Sequence, residues 1–163
     1  MKTDNIEERI VTKLIDKKIT ITTAESCTGG LIGATLVNVS GVSQVYKEGY
    51  ITYSDEAKTK LLGVPASLIQ TYGVVSEETA AAMADGAAKA AGTMAALSAT
   101  GVAGPDGGSK EHPVGEVYIG CYYLGHIKVV RFLGKGDRME IRTQAVTRAL
   151  ELLEEVMTQE EMI

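Results

Sequence analysis

The stretch Thr23-Ala-Glu-Ser-Cys-Thr-Gly-Gly30 restricts the fold most strongly, because it joins a strand to a helix. The residues before it, Ile19-Thr-Ile-Thr-Thr23, are rich in β-branched side chains and predict a strand. A helical pattern begins near Thr28, and the two glycines beside it have no Cβ, so a ligand or another backbone can approach closely. Such a turn exposes unpaired N–H groups at the positive end of the helix dipole, which favours an anionic ligand or an oxyanion. The alternative is a simple N-cap by Ser26 on a tightly packed helix.

On both sides of this turn, helices and strands alternate. Apolar residues at helical spacing predict an amphipathic opening helix from Asp4 to about Lys17. The further predicted elements are a helix over 28–39, a strand over 46–53, a short helix capped by Ser54, a long Ala-rich helix from Ser76 to about Gly92, a buried strand over 93–99, strands over 115–124 and 127–133, and a final helix from the capping box Asp137-Arg-Met-Glu140 to about Met157. We therefore predict one domain over residues 1–163, a three-layer α/β/α sandwich with a mixed sheet and a late β-hairpin.

The composition excludes several classes of function. A net charge of −5 and a pI near 5.1 leave no basic stripe to neutralise nucleic-acid phosphates, so we expect no nucleic-acid partner. No apolar run approaches the ~20 residues of a membrane span, and Met1-Lys-Thr-Asp4 lacks the apolar core of a signal peptide. We expect a cytoplasmic protein with no membrane partner. Its many small residues and 5% aromatic content are compatible with the interface of a homo-oligomer.

The reactive side chains are few. Cys27 and Cys121 lie far apart in a chain of cytosolic type, so we expect no disulfide. The only histidines, His112 and His126, supply neither a Ser-His-Asp triad nor a His-rich zinc site. We expect no metal and no cofactor.

A second glycine-rich segment, Thr100-Gly-Val-Ala-Gly-Pro-Asp-Gly-Gly108, leaves the predicted buried strand at its carboxyl end. Ligands of open α/β sheets bind at such ends. The segment is neither a P-loop nor a dinucleotide fingerprint, since Gly-Lys-Ser/Thr is absent and a strand follows. It is interpreted either as a cradle of backbone N–H groups or as a mobile surface loop.

Lys58 lies one turn into the helix capped by Ser54, directly after the strand that ends at Tyr53. Most lysines are solvated, but one that faces the crevice loses solvation, and its pKa falls. A neutral amine can deprotonate a serine hydroxyl. Ser26 and Ser43 are both candidates for that serine, and the spacing does not choose between them. The Tyr53 hydroxyl either orients a proton or simply packs.

Arg138 and Arg142 stand one helical turn apart and share a face of the last helix. They either pair with Asp137 and Glu140 or hold a phosphate or carboxylate.

Seven segments together resemble the C-terminal domain of the competence/damage-inducible protein CinA, a family that includes stand-alone nicotinamide mononucleotide amidohydrolases of the PncC type. The segments are Thr-Ala-Glu-Ser-Cys-Thr-Gly-Gly at 23–30, Gly-Val-Ser at 41–43, Tyr-Ser-Asp-Glu-Ala-Lys at 53–58, Gly-Val-Val-Ser-Glu at 73–77, Thr-Gly-Val-Ala-Gly-Pro-Asp-Gly-Gly at 100–108, Pro-Val-Gly at 113–115 and Gly-Asp-Arg at 136–138. The resemblance covers nearly the whole chain.

The resemblance implies hydrolysis of nicotinamide mononucleotide to nicotinic acid mononucleotide and ammonia, in pyridine nucleotide recycling, by a Ser/Lys mechanism without a metal. The lysine is then Lys58. For the nucleophile we favour Ser43 over Ser26, although many relatives have Gly-Ser-Ser where this chain has Gly-Val-Ser. The residues expected to bind substrate are Glu25, Thr28, Gly29, Thr100, Gly101, Gly104, Asp106, Arg138 and Arg142.

Two other functions compete with this one. The domain is alternatively a non-catalytic, pyridine-nucleotide-binding regulatory module related to the competence and DNA-damage response. A third hypothesis gives Cys27 a redox role.

Overall fold

The computed structural model describes residues 5–163, so Asp4, the predicted first residue of the opening helix, lies outside it. The elements in chain order are α1 (Ile6–Lys17), β1 (Ile21–Glu25), α2 (Leu31–Leu36), a 3-10 helix (Val42–Gln44), β2 (Tyr50–Ile51), α3 (Asp55–Leu62), α4 (Ala66–Tyr72), α5 (Glu77–Ala91), β3 (Ala95–Gly101), β4 (Glu116–Tyr123), β5 (His126–Leu133) and α6 (Arg138–Glu161).

The strands form one mixed sheet of five in the order β2-β1-β3-β4-β5. β1 pairs in parallel with β2 and β3, with Ala24 opposite both Tyr50 and Ser98. β4 and β5 continue the sheet as an antiparallel hairpin beside β3. The carboxyl ends of β1, β2 and β3 therefore meet at one edge, where open α/β sheets bind their ligands.

Helices cover both faces of the sheet, and each face has its own apolar core. On one face, α1, α2 and α6 pack against the sheet through large aliphatic side chains such as Ile10, Leu36 and Leu150. On the other face, α3, α4 and α5 enclose a smaller core that includes Leu62, Met83 and several alanines. This arrangement confirms the three-layer α/β/α prediction with its late hairpin.

Three predicted helix starts are confirmed because each depends on a local cap. The hydroxyl of Ser54 accepts from Ala57 N at 3.1 Å, and that of Ser76 accepts from Thr79 N at 3.1 Å. Asp137 and Glu140 form the predicted capping box of α6. α6 continues to Glu161, four residues beyond the predicted end. No helix within residues 5–163 is long and apolar enough to cross a membrane.

Some element bounds differ from prediction. β1 begins two residues later than predicted and continues to Glu25, because Ala24 and Glu25 pair with β2. α2 begins only at Leu31, since Gly29 and Gly30 adopt positive φ angles of 57° and 105°, which interrupt a right-handed helix. The predicted strand over 46–53 is reduced to Tyr50–Ile51. The short helix α4 is not predicted by the pattern, because its seven residues are too few to establish a helical period.

Candidate active site

A cleft of about 340 Å³ opens at the carboxyl edge of the sheet. Five parts of the chain form its walls: the turn after β1, the first turn of α3 with the residue before its cap, the segment before α5, the loop after β3, and the start of α6. The lining residues are Ser26, Cys27, Tyr53, Asp55, Lys58, Val74, Val75, Thr100, Gly101, Val102, Ala103, Gly104, Asp106, Gly107 and Arg138. Segments that are distant in sequence therefore share one site, as the topology predicts.

Lys58 and Ser26 meet in this cleft. Lys58 is completely buried and Ser26 is 8% exposed. The Lys58 Nζ donates to Ser26 Oγ at 3.1 Å and to the Thr52 carbonyl at 2.9 Å. The Ser54 carbonyl lies at 3.5 Å, at the limit of a hydrogen bond. The amine is thus held by backbone oxygens on one side and faces a hydroxyl on the other.

Burial lowers the pKa of Lys58 from its ordinary value, although the negative charges of Asp55 and Glu56 and a contribution from Cys27 act in the opposite direction. Carbonyl oxygens can only accept, so a neutral amine would direct its hydrogens to them and keep its lone pair for the Ser26 hydroxyl. No carboxylate forms an ion pair with Lys58 among the described residues. This arrangement suits a general base.

The local fold explains why the two residues meet. Ser26 follows β1, and its backbone N–H donates to the Ala99 carbonyl of β3 at 3.0 Å. Thr52 N donates to the Glu25 carbonyl at 2.8 Å, which fixes the segment before α3 beside the same turn. The Ser54 cap then starts α3, so that Lys58 lies one turn inside it and points back to Ser26.

Ser43, which we favoured as the nucleophile, does not line the cleft. Gly41, with a φ of +87°, directly precedes the 3-10 helix, and Ser43 is exposed on that helix. Its carbonyl accepts from Lys47 Nζ at 2.7 Å. The geometry therefore points to Ser26, rather than Ser43, as the hydroxyl partner of Lys58.

Glu25, for which we predicted a contact with substrate, has its carboxylate engaged by the backbone. Its side chain is buried, and its two carboxylate oxygens accept from Ile32 N at 2.8 Å and Gly33 N at 3.0 Å. These N–H groups are the free donors at the start of α2. The carboxylate that appeared available in the sequence is thus engaged by the backbone, away from the lining of the cleft.

The two arginines of α6 face different partners. Arg138 lines the cleft and donates to the Gly104 carbonyl at 2.8 Å and to the Tyr53 hydroxyl at 3.1 Å. Arg142 lies outside the lining and donates to the carbonyls of Cys27 and Thr28, both at 3.0 Å. Arg138 lies where it can meet a ligand in the cleft, whereas Arg142 fastens the turn after β1 to α6.

Five of the nine predicted substrate-binding residues line the cleft: Thr100, Gly101, Gly104, Asp106 and Arg138. Four do not: Glu25, Thr28, Gly29 and Arg142. Thr28 is fully buried, and its hydroxyl finds no partner within residues 5–163. Gly29 instead allows close approach of Arg142, because a Cβ there would lie 3.2 Å from the Arg142 Nη2.

The lining residues that the sequence interpretation missed include Val74 and Val75. They belong to the segment Gly-Val-Val-Ser-Glu, to which we gave no role. The signal was available, since Val74 and Val75 directly precede the Ser76 cap of α5. The Thr100 hydroxyl reaches the same segment and donates to the Val74 carbonyl at 2.8 Å.

Cys27 lines the cleft beside Ser26 but is itself buried. Burial raises the pKa of its thiol to about 11. The thiol is therefore protonated at neutral pH, which disfavours thiolate chemistry and the redox hypothesis.

A larger groove of about 440 Å³ lies between α3 and α4. Its lining includes Asp55, Lys60 and Ile69 but neither Lys58 nor Ser26. The smaller cleft is the candidate site because it holds the perturbed amine and the hydroxyl.

Residues 3–157 match the sequence model of the CinA C-terminal domain family. A CinA-like protein from Kosmotoga olearia is 51% identical over 150 residues, which cover 92% of this chain and 36% of that protein. A CinA-like protein from Dictyoglomus turgidum is 49% identical over 91% of this chain and 36% of its own length. The chain thus spans little more than a third of the length of the curated relatives it matches.

Solved structures share the fold over almost all of both chains. A competence-damaged protein (CinA) superfamily protein from Escherichia coli is 33% identical, with a TM-score of 0.90, over 94% of this chain and 89% of that chain. The competence/damage inducible protein CihA from Agrobacterium tumefaciens is 37% identical, with a TM-score of 0.84, over 94% and 96%. The chain belongs to the CinA C-terminal domain family.

Proposed function

We propose that this protein hydrolyses the carboxamide of nicotinamide mononucleotide, giving nicotinic acid mononucleotide and ammonia. The reaction type is supported by the cleft, and the substrate by the resemblance of seven segments to this family. The observation that carries the proposal is the 3.1 Å contact between the buried Lys58 Nζ and Ser26 Oγ. A buried amine beside a hydroxyl is the arrangement by which a serine is activated without histidine.

In the proposed mechanism, neutral Lys58 takes the proton of the Ser26 hydroxyl as Oγ attacks the amide carbon. The resulting ammonium then gives a proton to the amide nitrogen as the C–N bond breaks, and ammonia leaves. Water, deprotonated by Lys58, next cleaves the nicotinoyl ester on Ser26. The acid product forms and the serine recovers its proton, so one water is consumed for each ammonia released.

Backbone N–H groups would stabilise the oxyanion of the tetrahedral intermediate. Cys27 directly follows Ser26, and the N–H of the residue after a nucleophile in a strand-to-helix turn commonly serves this purpose. Its N–H donates to no backbone carbonyl within residues 5–163, and the group beside it is its own thiol. Removing one such donor costs about 3–4 kcal/mol in comparable enzymes.

Arg138 would bind the 5′-phosphate. The residue is exposed at the edge of the cleft, where its guanidinium donates, among residues 5–163, only to two neutral oxygens, those of Gly104 and Tyr53. A phosphate is a stronger acceptor for a guanidinium than either. Tyr53, brought to the same place, would orient the bound nucleotide.

The test is ammonia release from nicotinamide mononucleotide by the wild-type protein, Lys58→Ala and Lys60→Ala. Lys60 is an exposed lysine on the same helix and is the matched control. We expect turnover by the wild type and Lys60→Ala, and a loss of at least about 10²-fold in Lys58→Ala, as for loss of a general base. Near-native turnover by Lys58→Ala would exclude the mechanism.

Two further measurements test which substrate is used and whether the protein is an enzyme or a binding module. The riboside, which lacks the phosphate, should fail as a substrate. Saturable binding of the mononucleotide without ammonia release would instead support the regulatory binding module.

A further inference from the structure

The loop that lines the cleft is closed at its base by the backbone. Val102 N donates to the Glu116 carbonyl at 2.9 Å, and Gly115 N donates to the Val102 carbonyl at 2.7 Å. Residues 103–114 therefore form one loop, whose two ends meet at its base. The outgoing part of the loop, residues 103–107, lines the cleft, whereas the returning part, residues 108–114, does not.

A buried carboxylate stands where this loop returns to the sheet. Glu116 is only 2% exposed, although it is the first residue of β4. Its Oε1 lies 2.9 Å from the Nδ1 of His112 in the returning part of the loop, and its Oε2 accepts from Arg131 Nη2 of β5 at 2.9 Å. Both carboxylate oxygens are thus engaged, one by the loop and one by the hairpin.

The charge state of this group follows from its partners. Burial acts to raise the pKa of Glu116, but the hydrogen bonds and charges of His112 and Arg131 outweigh it, and the pKa is lowered. The carboxylate is ionised and can only accept, so the His112 Nδ1 must carry a proton and donate it. Burying an ion is costly unless it is paired, and here Arg131 supplies the charge of the pair while His112 engages the second oxygen.

The returning part of the loop touches the outgoing part through Val114. A Cβ on Gly104 or Gly108 would collide with the Val114 side chain, so these glycines lie directly against it. Gly104 is also the residue whose carbonyl receives Arg138. Glu116 therefore holds the chain at His112, and two residues later Val114 packs against Gly104 in the wall of the cleft.

We propose that Glu116 is a positioning residue, which holds the returning part of the loop through His112 and thereby fixes the cleft-lining part at Gly104 and Arg138. The expected effect of Glu116 on substrate affinity rests on the proposed function, whereas its effect on the position of the loop does not. None of Glu116, His112 and Arg131 lines the cleft, so they act through the loop rather than on the substrate.

The test compares Glu116→Gln with Glu111→Gln in the full chain. Glu111 is an exposed acid in the same loop, so the second variant makes the same change of charge without touching the cluster. We expect Glu116→Gln to speed hydrogen exchange of the amides in residues 103–114 about tenfold, because an anchor of the loop is weakened. In the ammonia-release assay, the KM of Glu116→Gln for the mononucleotide should be about tenfold above that of the wild type, while kcat changes about twofold or less.

A second pair of variants covers the case in which Glu116→Gln fails to fold. His112→Ala removes the donor but leaves the Glu116–Arg131 ion pair, and His112→Asn supplies an N–H near the position of Nδ1. We expect faster loop exchange and a higher KM in His112→Ala, with both restored in His112→Asn.

If the amides of residues 103–114 exchange their hydrogens in His112→Ala or Glu116→Gln at the same rate as in Glu111→Gln, the inference is overturned. A wild-type protein that releases no ammonia would overturn the proposed function instead, and the exchange experiment would still decide the role of Glu116.

Discussion

Ser26 and Lys58 lie 32 positions apart in the chain, yet the Lys58 Nζ is 3.1 Å from the Ser26 Oγ, with both side chains buried. The contact is possible because β1 and the segment before α3 end at the same edge of the sheet. A serine alone is a weak nucleophile. An exposed lysine is protonated at neutral pH and therefore cannot act as a base. Together, out of water, they can exchange a proton.

The first prediction concerns pH. Only the neutral amine can act as a base, so kcat/KM should rise with pH as Lys58 loses its proton. Because burial lowers the pKa of Lys58, this rise should be centred below the 10.5 of an ordinary lysine. The measurement is kcat/KM against pH for ammonia release from the mononucleotide.

Lys58→Arg provides the control for this profile. A guanidinium stays charged throughout the range, so the variant should be inactive at every pH. A wild-type rate that falls with rising pH over the same interval would contradict a neutral lysine base.

The second prediction distinguishes the two candidate serines. Ser26→Ala should lose ammonia release by about 10³-fold or more, since removal of an activated nucleophile has effects of that order. Ser43→Ala should keep most of its activity, because Ser43 is exposed outside the cleft. Steady-state rates of both variants, with circular dichroism to verify folding, provide the comparison. The reverse pattern would restore Ser43 as the nucleophile.

The third prediction separates the two arginines. Arg138→Ala should raise KM for the mononucleotide by about tenfold and cost less stability than Arg142→Ala, because the residue is exposed and its loss leaves only one carbonyl, that of Gly104, without its donor. Arg142→Ala should instead reduce the free energy of unfolding by about 1–3 kcal/mol, because it leaves two carbonyls of the turn without their donor. Urea titration and KM measurements on both variants test the distinction. A similar rise of KM in both, without loss of stability, would show a shared phosphate site.

Much of the fold was predictable because it depends on local rules. The hydroxyls of Ser54 and Ser76 and the carboxylate of Asp137 all cap helices where the sequence places them. The hairpin of β4 and β5 was equally clear, since two strands flank the short turn at Leu124 and Gly125. What local rules do not give is the length of a strand such as β2, which depends on its partner.

The site was predictable only in part, for the same physical reason. The place of Lys58 after a strand allows it to face the cleft, but that it meets Ser26 rather than Ser43 depends on the path of residues 41–52 in three dimensions. Arg138 and Arg142 share a helix face, yet the sequence does not tell which carbonyls each will reach. In the sequence, Glu25 has no evident partner and was therefore interpreted as a ligand contact. Its hydrogen-bond partners, Ile32 and Gly33, come close only through a turn whose geometry two glycines determine.

The fourth prediction concerns that turn. Glu25→Gln keeps the size of the side chain but replaces one oxygen with an NH₂ group, so a donor would face a backbone donor at Ile32 or Gly33. Hydrogen bonds to a buried charged group contribute about 1.5–3 kcal/mol, and we expect a loss of that order in the free energy of unfolding. Chemical denaturation measures it, with Glu111→Gln as the control for a change of charge at an exposed acid. If Glu25 instead contacted substrate, Glu25→Gln would retain the wild-type denaturation midpoint and raise KM. A lower midpoint with an unchanged KM would assign the carboxylate to the start of α2, where it holds in place the turn that presents Ser26 to Lys58.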